Sequence, residues 1–211
     1  ITKKKKILII EDAAQAMGAK YKNRYLGTIS NMGGFSFYGN KIMTTGEGGV
    51  IFVKNKEISK KIYALKNHGR EKKGIFKHKI IGYNFMFTEM QAAIGNVQLK
   101  KLDRILKKKL FINKFYKNKL QNIKHIKFMK NLPNNDPVHW FTNILVKNKK
   151  ELQKYMQKNK IQTRDFFLPL NKQPCFKKTK IIKNINIKFS VSEELYSSGI
   201  SLPSSYSLTI K

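Results

Sequence analysis

Lys41 stands alone in a polar turn, inside the stretch Phe35-Ser36-Phe37-Tyr38-Gly39-Asn40-Lys41-Ile42-Met43-Thr44-Thr45-Gly46-Glu47-Gly48-Gly49. An apolar, strand-like run enters the turn, and a glycine-rich exit leads into a second apolar run, Val50 to Val53. Such a turn presents one amine to a buried site, and a lysine offered in this way to a carbonyl can form a Schiff base. Upstream, Glu11 and Asp12 follow the apolar run Ile7 to Ile10. That places two carboxylates at the C-terminal end of a predicted strand, where open α/β sheets put their ligand sites. Alternation along Phe35-Ser36-Phe37 sets Ser36 on the opposite face from the two rings, where it can meet an anion.

An amine for a carbonyl, a carboxylate for a protonated pyridine nitrogen and a hydroxyl for a phosphate are the three anchors of pyridoxal 5′-phosphate. Asp12, Gln15, Ser36 and Lys41 are therefore taken together as its candidate site. Each also has a plainer reading. Lys41 is one of many lysines and can be a solvated turn residue, and Asp12 can cap a short helical turn, Ala13 to Ala16. His68 reads as a helix-end residue rather than a ligand.

The elements that must position these residues follow from periodicity. Ile7 to Ile10 has the continuous apolar pattern of a strand covered on both faces in a parallel sheet. Tyr21 to Leu26 reads as a small hairpin or tight turn around Lys22-Asn23. Ile58, Ile62 and Leu65 space as a helix, with Gly69 suited to the position just past its end. Thr88 and Gln91 form a capping box that opens a long helix running to about Leu120, with Met90, Ala93, Ile94, Val97, Ile105 and Ile112 as its core face. A turn-rich segment, residues 131–137, then breaks the organisation. Beyond it, Trp140 to Val146 is a predicted strand. Lys150 to Lys158 is a predicted helix with Leu152, Tyr155 and Met156 inward, and Arg164 to Leu170 an apolar edge. Ser192 to Ser198 is a predicted helix stopped by Gly199, and Leu202 to Ser205 a loop.

The 211 residues carry a formal charge of +32. Arg24, Arg70, Arg104 and Arg164 are the only arginines, so 40 of the 44 basic residues are lysines scattered from end to end. Recognition of bases and phosphates favours the planar arginine fork. The scatter therefore reads as compositional drift rather than a nucleic-acid surface. Cys175 is the one cysteine, which excludes a disulfide framework and a cysteine-based zinc site within the chain and fits a reducing compartment. Lys3 to Ile10 resembles a signal peptide only briefly, and no run approaches the roughly 18 apolar residues of a spanning helix. A soluble, cytoplasmic protein is expected, with no metal site. The first residue, Ile1, points to a fragment of a longer protein.

Three separated motifs, Ile10-Glu11-Asp12-Ala13-Ala14-Gln15-Ala16, the Lys41 stretch, and Gly82-Tyr83-Asn84 followed by Thr88 and Gln91-Ala92-Ala93-Ile94-Gly95, resemble the DegT/DnrJ/EryC1/StrS nucleotide-sugar aminotransferases. Ile161-Gln162-Thr163-Arg164, Pro169 with Gln173-Pro174, and Leu202-Pro203-Ser204-Ser205 are similar to further stretches of that family. The resemblance implies an α/β fold, that of fold-type I pyridoxal-phosphate transferases. Residues 1–120 would be part of the large domain, with a mostly parallel sheet and the linking helix, and 121–211 a small α+β C-terminal domain. It implies that Lys41 carries the cofactor and shuttles a proton, Asp12 pairs with the pyridinium nitrogen, Gln15 lies near the phenolic oxygen and Ser36 holds the phosphate. Asn84 would reach the phosphate in a neighbouring subunit, making a homodimer part of the site. A nucleotide-linked 4-keto-6-deoxysugar and glutamate would be the substrates. Met86 and Asn171 depart from the arginine and histidine of many relatives. The rival reading is a basic, non-catalytic binding protein that retains the fold.

Overall fold

In this computed structural model the described residues are 4–177 and 188–209. They belong to two units, Ile1–Lys107 with Leu132–Trp140, and Lys108–Asn131 with Phe141–Lys211.

In the first unit the opening strand β1 is Ile10–Asp12, shorter and later than the apolar run suggests. Leu8 and Ile10 are 69% and 70% exposed. The expected cover on both faces is thus corrected for the described residues: none of them buries Ile7 to Ile10, and among them β1 lies at the edge of its sheet. Glu11 and Asp12 lie within the strand rather than beyond it. Ala13 to Ala16 is a turn closed by Ala16 N–H donating to Ala13 O at 2.9 Å, not a helical segment. The short strands β2 (Lys20–Tyr21) and β3 (Arg24–Tyr25) form the expected hairpin. Lys22 and Asn23 at its tip both have positive φ, 48° and 61°, the geometry whose twist matches two short antiparallel strands.

Strand β4 is Met32–Ser36 and β5 is Gly49–Val53. β4 pairs with β1 in parallel and with β5 antiparallel, so this sheet is mixed, in the order β1-β4-β5. The predominantly parallel character expected of it is not seen in these three strands. Helix α1, Lys56–Lys66, starts on Asn55, whose side chain accepts from the N–H groups of Glu57 and Ile58. At its other end His68, with φ 57°, takes the left-handed position one residue before Gly69, and Gly69 N–H returns to Ala64 O at 2.8 Å. Histidine therefore fills the place expected of the glycine.

The predicted long helix is two helices, α2 (Glu89–Lys100) and α3 (Leu102–Leu120), which meet at Lys101. The capping box is formed as expected. The core face is not: α2 buries no residue and Met90 is 77% exposed, whereas Ile105 and Ile112 of α3 are buried. β6 (Ile126–Phe128) belongs to the second unit. The turn-rich segment that follows supplies β7, Asn135–Asp136, which pairs with β2 in the first unit.

In the second unit β8, Thr142–Val146, begins two residues later than predicted. Helix α4, Lys149–Lys158, packs Leu152 and Met156 on the core, but Tyr155 is exposed. The apolar edge reduces to β9, Arg164–Asp165. A one-turn 3₁₀ segment, Leu170–Lys172, and the short α5, Pro174–Lys177, precede α6, Ser190–Ser198. Gly199 ends the helix as expected and at once opens a strand, β10 (Gly199–Leu202), so the expected loop loses Leu202 to the strand and keeps residues 203–205. The antiparallel sheet has the order β6-β8-β10-β9, and its core is Ile144, Val146, Ile200 and Leu202.

Candidate active site

Strand parity sorts the residues at the β1–β4 junction into two faces. The register sets Glu11 beside Gly33 and Asp12 beside Gly34. Because successive side chains alternate, Glu11, Gly33 and Phe35 share one face while Asp12, Gly34 and Ser36 share the other. The first face is filled. Glu11 accepts from Gly27 N–H at 2.6 Å and from Ser30 N–H. A Cβ on Gly33 would lie 1.9 Å from Gly27 O, and the Phe35 ring packs on Gly27. Burial acts to raise the Glu11 pKa, but the combined hydrogen bonds from Ser30, Gly27 and Ile29 outweigh it and leave it lowered.

The second face is open at its centre. A Cβ on Gly34 would meet nothing within 4 Å. Asp12 is exposed beside this gap, and its Oδ1 accepts from Ala14 N–H at 3.1 Å, so it also performs the local turn-capping role. Ser36 is half-buried, two residues along the same face, with its Oγ accepting from Tyr38 N–H at 3.3 Å. A carboxylate and a hydroxyl thus flank a strip of backbone with room for a flat group.

The Lys41 loop is held from within. Lys41 N–H closes a turn on Tyr38 O at 3.0 Å, Phe37 N–H donates to Gly48 O and Thr45 N–H to Phe37 O. Thr44 Oγ1 donates to Phe37 O and accepts from Gly46 N–H, and Thr45 Oγ1 donates to Glu47 O. Ile42, Met43 and Thr45 are buried and pin the loop, leaving Lys41 half-buried. Gly48 has φ 131°, and a Cβ there would strike the Phe87 ring at 2.5 Å, so only glycine fits. Helix α2 braces the exit: Gln91 Nε2 donates to Glu47 O at 3.1 Å, and Gly95 brings the helix close to Thr45.

Two features of this loop escape the sequence. The Lys41 ammonium lies 4.3 Å from the centroid of the Trp140 ring, and Trp140 Nε1–H donates to Asn40 O at 2.6 Å. Trp140 is buried. A cation over an indole face is worth about 0.5–2 kcal/mol. Its long sequence separation left no local signal, and its apolar context made it look like part of a strand. The second feature is Gln91, whose capping position was evident but whose amide link to Glu47 was not.

Gln15 is exposed in the turn after β1. Asn84 is exposed and forms an isolated antiparallel bridge with Asn67, beyond the end of α1. Tyr83 and Phe85 on either side of it stack with centroids 5.2 Å apart.

Residues 1–211 match the DegT/DnrJ/EryC1/StrS aminotransferase family. The chain belongs to this family. It is 32% identical over 212 residues to the GDP-perosamine synthase of Escherichia coli O157:H7, covering 99% of this chain and 56% of that protein. It is 35% identical over 158 residues to a UDP-4-amino-4,6-dideoxy-N-acetyl-beta-L-altrosamine transaminase of Campylobacter jejuni, covering 74% and 38% respectively. Among solved structures, S. venezuelae DesV matches with a TM-score of 0.89 at 26% identity, over 99% of this chain and 55% of that one. A DegT/DnrJ/EryC1/StrS aminotransferase from Brucella abortus matches with a TM-score of 0.86 and the same identity, over 99% and 55%. The chain spans about half the length of these relatives. Its fold is accordingly part of the fold-type I architecture of pyridoxal-phosphate transferases, the cofactor class of the family.

Proposed function

We propose that the protein of which this chain is part transfers an amino group from glutamate to a nucleotide-linked 4-keto-6-deoxysugar, in the manner of a perosamine synthase, for surface-polysaccharide or deoxysugar synthesis in the cytoplasm. The observation that carries this reading is the face formed by Asp12, the uncovered Gly34 and Ser36, followed in the chain by the loop that holds Lys41. The donor set fits pyridoxal phosphate: an amine, a carboxylate and a hydroxyl with an uncovered strip between the last two. Bound there, the cofactor supplies an electron sink for the carbon that loses or gains the amine.

The chain's own residues then have distinct tasks. Asp12 keeps a ring nitrogen protonated, and Ser36 donates its hydroxyl to a phosphate oxygen. Gln15 orients the phenolic oxygen. Lys41 holds the cofactor between turnovers and, when free, moves the proton at the reacting carbon through Nζ. The exchange is balanced: glutamate leaves as 2-oxoglutarate, the ketone carbon receives the amine, and no outside oxidant is needed.

Asn84 serves the phosphate of a second copy. This homodimer reading is supported by the exposed apolar residues around Asn84, among them Ile81 at 91%, Phe85 at 69% and Met90. Such clustering is characteristic of protein contacts rather than of solvated surface.

The test uses the full-length natural protein loaded with pyridoxal phosphate, reduced with borohydride and digested. The expected result is cofactor mass on the Lys41 peptide, absent in Lys41→Ala, and conversion of GDP-4-keto-6-deoxymannose to its amino sugar with glutamate. Cofactor trapped on another lysine, or no amino sugar from any ketosugar tried, overturns the reading.

A further inference from the structure

Lys41 is held by something other than a carboxylate. Among the described residues no acidic side chain is ion-paired with it. Its ammonium lies over the indole of Trp140 instead, 4.3 Å from the ring centroid. The ring is fixed from two directions. It is buried, and its Nε1–H donates to the carbonyl of Asn40, the residue immediately before the lysine. The same indole therefore grips the main chain on one side of Lys41 and faces the end of its side chain. Because both contacts belong to adjacent residues, the ring sets the direction of the side chain relative to its own backbone.

We propose that Trp140 is a positioning residue for Lys41, with its ring face as the resting place of the lysine ammonium whenever that nitrogen is not covalently engaged. The proposal rests on the transaminase reading, in which the lysine must be freed and re-engaged in every turnover. An acidic partner would hold the ammonium more strongly, and the lysine would leave it at greater cost. An aromatic face holds a cation with moderate strength and has no proton to exchange with it. The Asn40 bond meanwhile keeps ring and loop together after the amine departs. Trp140 thereby restricts the free side chain to one region and shortens its search for the bound cofactor.

Full-length protein stripped of cofactor is labelled with trace acetic anhydride, and the labelling of each lysine is read by peptide mass spectrometry. In Trp140→Leu the Lys41 nitrogen loses its cover, and its labelling should rise roughly three- to thirtyfold relative to the other lysines. Trp140→Phe, which keeps a ring face, should stay within about threefold of the natural protein. Pyridoxal phosphate is then added, and its covalent incorporation at Lys41 is timed by borohydride trapping. Incorporation should slow by a similar factor in Trp140→Leu and be largely rescued in Trp140→Phe, a pattern that a merely structural ring would not produce.

If Trp140→Leu fails to fold, the emission difference between the natural protein and Lys41→Met decides the contact, because removing the ammonium changes the indole's surroundings. Lys41 labelling and incorporation unchanged within twofold in a folded Trp140→Leu overturn the proposal, as does an emission spectrum indifferent to Lys41→Met. No incorporation at Lys41 in the natural protein would instead sink the transaminase reading, and the positioning role with it. Labelling would then still report whether the ring covers the amine.

Discussion

Gln91 Nε2 donates to the carbonyl of Glu47 at 3.1 Å, tying the first turn of α2 to the exit of the lysine loop. The same side chain accepts from Thr88 N–H at 3.0 Å through Oε1, so one amide both caps the helix and anchors the loop. Gln91→Glu keeps the acceptor but sets a carboxylate against the Glu47 carbonyl. A loss of about 1–3 kcal/mol in urea unfolding is expected, with Gln91→Ala losing the cap as well. Near-equal stability of Gln91→Glu and the natural protein would show that the amide link contributes nothing.

Gly33 and Gly34 are neighbours with opposite prospects. Alanine at 33 would press its Cβ into the Gly27 carbonyl, and the protein should be destabilised by about 1–3 kcal/mol or more. Alanine at 34 meets no atom, and stability should stay level or rise by up to about 1 kcal/mol. The added methyl nevertheless enters the gap between Asp12 and Ser36. Pyridoxal phosphate should therefore bind Gly34→Ala at least tenfold more weakly, as measured by absorbance titration, while thermal unfolding of the cofactor-free protein stays level or shifts slightly upward.

The loop bonds to Glu11 predict an acid response. Its folded pKa is lowered from the ordinary 4.5, so the stability it contributes is fully present above that value and is lost as pH falls through the folded pKa. Glu11→Gln should be less stable at pH 7, and its stability should vary less than that of the natural protein between about pH 5 and 3. Parallel pH profiles for the two proteins would contradict this.

In the second unit Lys149 is nearly buried and has three attachments. It pairs with Asp165 at 2.7 Å, donates to Tyr196 O at 2.7 Å and lies over the Tyr196 ring. Lys149→Met removes all three, and a cost of about 1–3 kcal/mol is expected. Asp165 is more than half exposed, so Asp165→Asn should cost less, about 1 kcal/mol at most. The reverse order in chemical denaturation would mean that the ion pair, and not the Tyr196 contacts, dominates.

What was legible in the sequence is what local rules govern. The capping box at Thr88, the hairpin at Lys22-Asn23 and the strands either side of the lysine turn depend on spacings of a few residues. Parity alone put Ser36 on the face away from Phe35. That Asp12 shares this face depends on the parallel register of β1 and β4, which no local pattern carries. Ile200 is wholly buried at the centre of the second sheet, but it stands between a glycine that reads as a helix stop and a segment, Leu202 to Ser205, that reads as a loop. Met90 and the Ile7 to Ile10 run show the opposite error. Apolar spacing tells which side chains favour cover, and not whether described residues provide it.

The first unit takes back residues 132–140 after the chain has left it at residue 107. Lys41 and Trp140 are therefore neighbours in space on opposite sides of an excursion into the other unit. A chimera of two homologous genes joined anywhere between residues 42 and 139 would inherit its lysine from one parent and the ring beneath it from the other. Such hybrids are matched at that contact only if both parents keep an aromatic there, which gives recombination in this stretch a compatibility rule of its own.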